Sequence, residues 1–279
     1  MTDEFEKLKR EIAAGSRVIT LSGLTSSSAK AQLLSRLNGE INKNLAVIVP
    51  SNAELEAWEM DLDFFAGGQT SIVALPSFET DPYSGVSPHA ETKERRSLAL
   101  WKLRDPNDFV IISARSLVQR TVTRDQITGL GSMLARDSDF PPETLVERLI
   151  AGGYVREEPL FGPGQFSVRG GIIDIWSPDA DAPVRVEFFG DTVDSIRTFD
   201  PDTQLSTGQL SQTAIAPMRE FSVSQKDLKD WAFFAREQFA DDKFARNLKD
   251  RTDFAREGEA FSGWEFLIPL VKPLQATVF

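Results

Sequence analysis

The chain has 279 residues, of which 41% are hydrophobic and 26% are charged, so it is long enough for two globular domains with proper cores. It contains no cysteine and one histidine, His89, which excludes disulfides, thiolate metal sites, cysteine nucleophiles and metal sites built from histidine pairs. The net charge of −11 argues against a broad nucleic-acid-binding surface, although not against a local basic patch.

The first predicted element is a helix over residues 1–15, MTDEFEKLKREIAAG, which carries charges of both signs. It lacks the apolar core of a secretion signal. Since the sequence also contains no apolar run of about 18 residues, it predicts no membrane span. We therefore expect a cytoplasmic protein that does not contact a membrane.

Helices and short apolar strands alternate up to about residue 125. Short, fully apolar strands separated by helices are typical of a parallel α/β sheet that is covered on both faces. The predicted strands are 17–23, 45–50, 71–76 and 109–114, and the predicted helices are 27–37, 51–65, with Ser51 or Asn52 as N-cap, 90–104 and a short one near 115–120.

The pattern changes near residue 125 and again near residue 218. Between these points, short alternating segments bounded by Gly, Pro and Asp predict a small α+β module with an antiparallel sheet. One helix, PPETLVERLIAGG over 141–153, interrupts it. From 218 onward the chain is helical again. The abrupt apolar end suggests a piece of a longer protein.

Two predicted strands of the middle module, 166–176 and 184–191, place a phenylalanine where a polar residue is expected. Alternate side chains of a strand point to opposite faces, so Arg185 and Phe189 share the face opposite to the core. By the same alternation Arg169 points outward, and pairing of the two strands would bring all three side chains together. Exposed aromatic and arginine side chains are typical of a protein-binding patch. The alternative, that Phe189 covers a sheet edge or packs under a loop, remains open here.

A loop that resembles a phosphate-binding P-loop follows the first predicted strand. The motif requires G-x-x-x-x-G-K-[ST]. Gly23 is present, but Ser28 replaces the second glycine, Ala29 replaces the lysine, and Lys30 replaces the Ser/Thr. The loop thus lacks the cation for the β- and γ-phosphates and the hydroxyl for Mg²⁺. We expect a degenerate loop, kept for its turn and helix start, that does not bind ATP.

Four segments resemble the UvrB-like N-terminal module of the bacterial transcription-repair coupling factor family, Mfd. The strongest is QFSVRGGIIDIWSPDADAPVRVEFFGDTVDSIRTFDPDTQLS, which has the pattern of domain 2 in both Mfd and UvrB. The segment 75–103 together with FVIISARSLVQR (109–120), and GWEFLIPL (263–270), resemble parts of domain 1. The resemblance extends over essentially the whole chain.

The resemblance implies an architecture, a partner and a role. It implies a degenerate P-loop, helicase-like domain 1a over 1–125, an inserted domain 2 over 126–217, and domain 1b over 218–279. Domain 2 is the UvrA-binding surface in this family, and Arg169, Arg185 and Phe189 are the matching positions here. The implied role is a non-catalytic adaptor in nucleotide excision repair, without cofactor, metal or catalytic residue. The parent would be an ATP-dependent DNA translocase that also binds RNA polymerase.

Two departures from UvrB argue against damage verification as the role. UvrB carries a tyrosine-rich hairpin where this chain has only SFETDPYSGVSPH, residues 77–89, with Phe78 and Tyr83 as its aromatics. UvrB also has an intact P-loop, whereas the loop here is broken as it is in Mfd.

Two other functions stay open at this stage. The first is a nucleotide-binding, UvrB-type helicase domain, which would require ATP binding. The second is a DNA-binding module that uses Lys93, Arg95 and Arg96. Because these lie on a predicted helix beside Glu91 and Glu94, a solvated charged face is the favoured interpretation.

Overall fold

The computed structural model describes residues 2–41, 43–68, 70–238 and 242–276. The elements up to β4 are α1 (Thr2–Ala13), α2 (Ser27–Ile41), β1 (Leu45–Val49), α3 (Asn52–Ala66), β2 (Ile72–Leu75), α4 (Ala90–Lys102), β3 (Phe109–Ser113), α5 (Ala114–Val118), α6 (Arg124–Leu130) and β4 (Ser132–Ala135). The remaining elements are α7 (Pro142–Gly152), β5 (Val155–Arg156), β6 (Gln165–Arg169), β7 (Ile172–Ile175), β8 (Val184–Phe189), β9 (Thr192–Phe199), β10 (Ser206–Leu210), β11 (Gln212–Ile215), α8 (Gln225–Gln238), α9 (Asp242–Glu257), α10 (Trp264–Leu267) and a 3₁₀ helix at Ile268–Leu270.

Within the described residues the chain divides into two compact units. The first holds the residues up to Ser77 together with Asp105–Ser116, and the second holds Phe78–Arg104 together with the residues from Leu117 onward. Helix α4 therefore belongs to the second unit, although β2 and β3, which flank it in sequence, belong to the first.

The first unit is built on a parallel sheet with the strand order β1-β3-β2. Helix α3 begins at the N-cap Ser51, whose hydroxyl accepts a hydrogen bond from the amide of Glu54, and it ends at Gly67, where φ is +71°. Its residues Leu55 and Leu62 are buried in one cluster with Phe109 of β3. This burial fixes which face of α3 meets the sheet.

The strand predicted over residues 17–23 does not form. All seven residues are described and none lies in a strand, and the side chains of Val18 and Leu21 are exposed. Only Ile19 packs inward, against the small cluster of Phe5, Leu8 and Leu37. A single partly buried residue gives the run too little apolar contact to hold it as a further strand.

The second unit is built on a six-stranded sheet with the order β10-β9-β8-β7-β6-β5. Neighbouring strands are antiparallel except β5 and β6, which are parallel. One face of the sheet forms a core that includes Phe166, Ile173, Val186 and Leu149 of α7. A two-stranded sheet of β4 and β11 contributes Leu134 and Ile215 to the same core.

The C-terminal helices of the second unit form a separate core. Trp231 of α8 packs in a tilted arrangement on Phe261, with ring centroids 4.4 Å apart, and Ile268 is buried in the same cluster. None of the described helices is both long enough and apolar enough to span a membrane.

The predicted fold class is confirmed at the level of its sheets. The chain is mixed α/β, with a parallel three-stranded sheet followed by a mainly antiparallel one. A degenerate P-loop fold is not confirmed, because the strand that should precede the loop is missing. Helix α6 and strands β10 and β11 were not predicted.

Candidate functional site

The site lies on the face of the six-stranded sheet opposite to its core, here called the outer face. Val186 and Phe166 point into the core, so residues one position away along β8 and β6 point outward. Strand pairing aligns Ser167 with Asp174 and Asp174 with Arg185. The outer face therefore carries Gln165, Ser167, Arg169, Ile172, Asp174, Arg185, Glu187 and Phe189.

Asp174 joins the two predicted arginines. Arg169 Nη2 donates to Asp174 Oδ2 at 2.5 Å. Arg185 Nε donates to Oδ1 at 2.7 Å and Arg185 Nη2 donates to Oδ2 at 2.8 Å, a bidentate geometry. The carboxylate is only 2% exposed, so one buried negative charge holds both guanidinium groups in place.

The Arg185 guanidinium is largely enclosed. Its Nη2 also donates to Gln204 Oε1 at 3.0 Å, and the group lies 4.6 Å from the ring centroid of Phe199. Its side chain is only 16% exposed. The hydrogen bonds to Asp174, and then the charges of Asp174 and Glu187, raise the pKa of Arg185 and outweigh the burial that lowers it.

Arg169 remains much more accessible than Arg185. Its side chain is about half exposed, and its Nε lies 3.7 Å from the carboxylate of Glu158, which is itself exposed. An ion pair at that distance and exposure contributes little stability. Arg169 can therefore exchange Glu158 for another carboxylate at low cost.

Phe189 projects from the end of β8. It pairs with Thr192 across a two-residue hairpin loop, and Gly190 at the first loop position has φ of +61°, as a type II′ turn requires. The ring is 83% exposed, so it does not pack under a loop. The alternation rule correctly predicts its outward direction. Phe189 lies about 13 Å along the strand from Arg185, on the same face.

Residues 133–221, which include the whole outer face, match a family described as the UvrB interaction domain. Residues 133–221 are therefore called the UvrB interaction domain, after the family that they match.

The chain around the UvrB interaction domain is similar to transcription-repair-coupling factors. It is 34% identical over 274 residues to that of Myxococcus xanthus, which covers 95% of this chain and 23% of the relative. It is 31% identical over 274 residues to that of Mycobacterium tuberculosis, a match that covers 92% of this chain and 21% of the relative. It is 28% identical over 227 residues to that of Bacillus subtilis, which covers 81% of this chain and 19% of the relative. These matches confirm the family resemblance, and the chain spans about a fifth of the length of these relatives.

Sequence reasoning missed Asp174 within the UvrB interaction domain. A signal was present, because Asp174 is the one charged residue of the strand Ile172–Ile175 and has outer-face parity with Ile172. Its role depends on the register that pairs it with Arg185 and sets Arg169 within diagonal reach. That register could not be read from the strand itself.

The loop with P-loop spacing lies outside the UvrB interaction domain. Gly23 has φ of +87°, and the Ser26 hydroxyl accepts a hydrogen bond from the amide of Ala29 at the start of α2. Ser28 donates to Asp61 of α3 at 2.9 Å, while the side chain of Lys30 is exposed. The loop thus serves as a helix start that is tied to a neighbouring helix.

The basic residues of α4 do not form a free cationic patch, and the solvated-face interpretation is wrong for Arg96. Arg96 is fully buried, donates to Glu220 at 3.1 Å, and lies 4.4 Å from the ring centroid of Phe78. Lys93 donates to the buried carboxylate of Glu265 at 3.1 Å. These two positive charges are therefore balanced by acidic residues that are far away in the sequence but in direct contact, and not by solvent.

Among the described residues, no group of three or more His, Cys, Asp or Glu side chains is arranged to hold a metal ion.

Proposed function

We propose that the outer face of the UvrB interaction domain binds UvrA, and that the chain is a non-catalytic adaptor module of a transcription-repair coupling factor. In this role it recruits UvrA to nucleotide excision repair and needs no cofactor. The observation that carries the proposal is the exposed Phe189 ring on the strand face that also carries Arg185. Exposed aromatic and arginine side chains on one face are typical of interface hot spots.

The geometry suggests different roles for the two arginines. Arg185 already uses its bidentate fork on Asp174, so it orients the carboxylate and fills the space over Phe199. Arg169 is the more exposed of the two and contacts only one oxygen of Asp174 at hydrogen-bond distance. We propose that Arg169 contacts a carboxylate of UvrA, that Phe189 enters an apolar pocket there, and that Arg185 contributes through its remaining exposed edge.

The proposal for the whole protein follows from the relatives. In it, residues 1–125 are domain 1a, residues 126–217 are the inserted domain 2, and residues 218–279 are domain 1b. The parent is then an ATP-dependent DNA translocase of the cytoplasm that also binds RNA polymerase and DNA. The names of the relatives and the family match at 133–221 support this proposal.

The affinity of the 279-residue chain for UvrA tests the proposal, with biolayer interferometry as the measurement. Phe189→Ala is expected to weaken binding about 30- to 1000-fold, because truncating an aromatic anchor typically costs about 2–4 kcal/mol. The melting temperature should stay unchanged since the ring is exposed. Wild-type affinity in Phe189→Ala would refute the proposal.

Charge reversal at Arg185 is a poor test because it would disturb the fold. A glutamate at this position would face the buried Asp174 and leave its carboxylate without the bidentate partner. Lost binding could then reflect lost folding. Arg169→Ala is the better arginine variant, because that side chain is far more exposed.

A further inference from the structure

A second exposed aromatic ring belongs to a connection that runs along the outer face. Phe161 is 75% exposed and belongs to residues 157–164, which connect β5 to the parallel strand β6. The amide of Phe161 donates to Gln165 Oε1 at 2.6 Å, and Glu158 of the same connection pairs with Arg169. Gln165 and Arg169 both have outer-face parity on β6, so this connection runs along the outer face.

The backbone that carries Phe161 is held in place on both sides. The amide of Gly162 also donates to Gln165 Oε1, at 3.2 Å. The side chain of the preceding Leu160 is buried. The connection closes through a hydrogen bond from the amide of Val155 to the carbonyl of Gly164 at 2.9 Å. The exposed ring thus stands on an ordered backbone, and such preorganisation lowers the entropic cost of binding.

The positions of the two rings fit one interface. Strands β6 and β8 run in the same direction, and the register aligns Arg169 of β6 with Glu187 of β8 through Ile172 of β7. Phe189 lies two residues after this level on β8. Gln165 lies four residues before it on β6. The two ends are thus about 20 Å apart along the strands and about 10 Å apart across them. A standard interface covers about 800 Å² per partner, or roughly 28 Å across. Along the strands, the Arg169–Asp174–Arg185 cluster lies between Gln165, which holds the backbone of Phe161, and Phe189.

We propose that Phe161 is a second aromatic anchor of the same interface, which rests on the proposed binding of UvrA. In this arrangement the partner has two apolar pockets, one for Phe189 and one for Phe161. On binding, the contacts at the two rings exclude water from the polar cluster between them, as the contacts around an interface hot spot do. Glu158 then marks the border of the contact, and its ion pair with Arg169 opens as Arg169 turns to the partner.

The test compares the affinities of Phe161→Ala and wild-type 279-residue chain for purified UvrA. We expect Phe161→Ala to weaken binding about tenfold or more, the loss that a buried aromatic contact gives. Phe233→Ala, which removes a ring of similar exposure from α8, is the matched control and should bind as wild type does. Equal melting temperatures of the three proteins would exclude unfolding as the cause.

The outcomes separate this inference from the proposed function. Wild-type affinity in Phe161→Ala together with weak binding in Phe189→Ala would overturn the second anchor and leave UvrA binding intact. Wild-type affinity in both variants would overturn both proposals. In the double variant, the fold-losses of affinity from the two single variants should multiply to within about twofold. Free-energy changes at residues this far apart, without shared partners, are usually additive.

Discussion

Asp174 organises the outer face at the scale of single residues. Its carboxylate receives three hydrogen bonds from Arg169 and Arg185, with donor–acceptor distances of 2.5, 2.7 and 2.8 Å. Burying a charge costs free energy unless it is paired and hydrogen-bonded, and both conditions are met here. The same contacts hold the arginines close together despite their like charge. The geometry of the outer face therefore depends on a residue that is almost inaccessible to a partner.

Asp174→Ala is expected to destabilise the protein by about 2–4 kcal/mol, because it leaves the enclosed Arg185 cation without its bidentate partner. Urea unfolding followed by circular dichroism measures this change. Glu187→Gln is the control on the same face, since Glu187 and its partner Arg197 are about one-third exposed and the pair contributes less than about 1 kcal/mol. An Asp174→Ala variant as stable as Glu187→Gln would contradict the organising role.

Helix α4 is the element whose environment differs most from its sequence pattern. Its charged sequence AETKERRSLALWK resembles a solvated helix, yet Arg96, Ser97 and Trp101 are buried. Ser97 donates to the carbonyl of Pro217 at 2.7 Å, and Lys93 reaches Glu265. The helix is therefore held by contacts with the segment at 217–220 and with α10, all within the second unit.

The Arg96–Glu220 pair provides the prediction at this scale. Glu220→Ala should destabilise the second unit by about 3–5 kcal/mol, because an arginine cannot lose its charge when its buried partner is removed. The double variant Arg96→Met/Glu220→Leu should recover most of that loss, since apolar side chains of similar volume can replace a buried pair. Urea unfolding measures both variants.

Lys226→Gln is the control for this pair. It removes a solvent-exposed ion pair with Asp230 on α8 and should cost less than about 0.5 kcal/mol. If the double variant were as unstable as Glu220→Ala, the loss would come from packing rather than from the buried charge.

Much of this architecture could be predicted because its causes are local. Apolar runs and caps located β1, α3 with its N-cap Ser51, and β3, and strand alternation placed Phe189 outward. The failures have non-local causes. The burial of Arg96 depends on Glu220, which is 124 residues away in the sequence. The pairing of Asp174 with Arg185 depends on the register of the sheet. The run 17–23 has strand-like composition but buries too little to become a strand.

Net charge limits how the whole molecule can find a partner. With 42 acidic and 31 basic residues the chain carries −11, which at long range repels other acidic surfaces. The outer face is locally balanced, because Arg169 and Arg185 lie beside Asp174 and Glu158. We therefore expect the proposed binding there to depend on short-range contacts, such as those of exposed rings, more than on electrostatic steering.

The loop with P-loop spacing, residues 23–30, yields a prediction for the whole molecule: saturating Mg-ATP should leave its melting temperature unchanged. Ala29 offers no cation for the phosphates, Lys30 offers no hydroxyl for Mg²⁺, and Ser28 is engaged with Asp61. A ligand at 100 times its Kd would add about 2.7 kcal/mol of stability, which raises the melting temperature by several degrees.

Differential scanning fluorimetry measures the melting temperature with Mg-ATP, with Mg-ADP and with MgCl₂ alone. The comparison separates nucleotide binding from effects of the metal ion. MgCl₂ alone is the matched control, and any shift common to all three additions reflects the salt. A shift of several degrees that occurs with Mg-ATP and not with MgCl₂ would establish a nucleotide site, and the helicase-like alternative would then replace the adaptor role for the first unit.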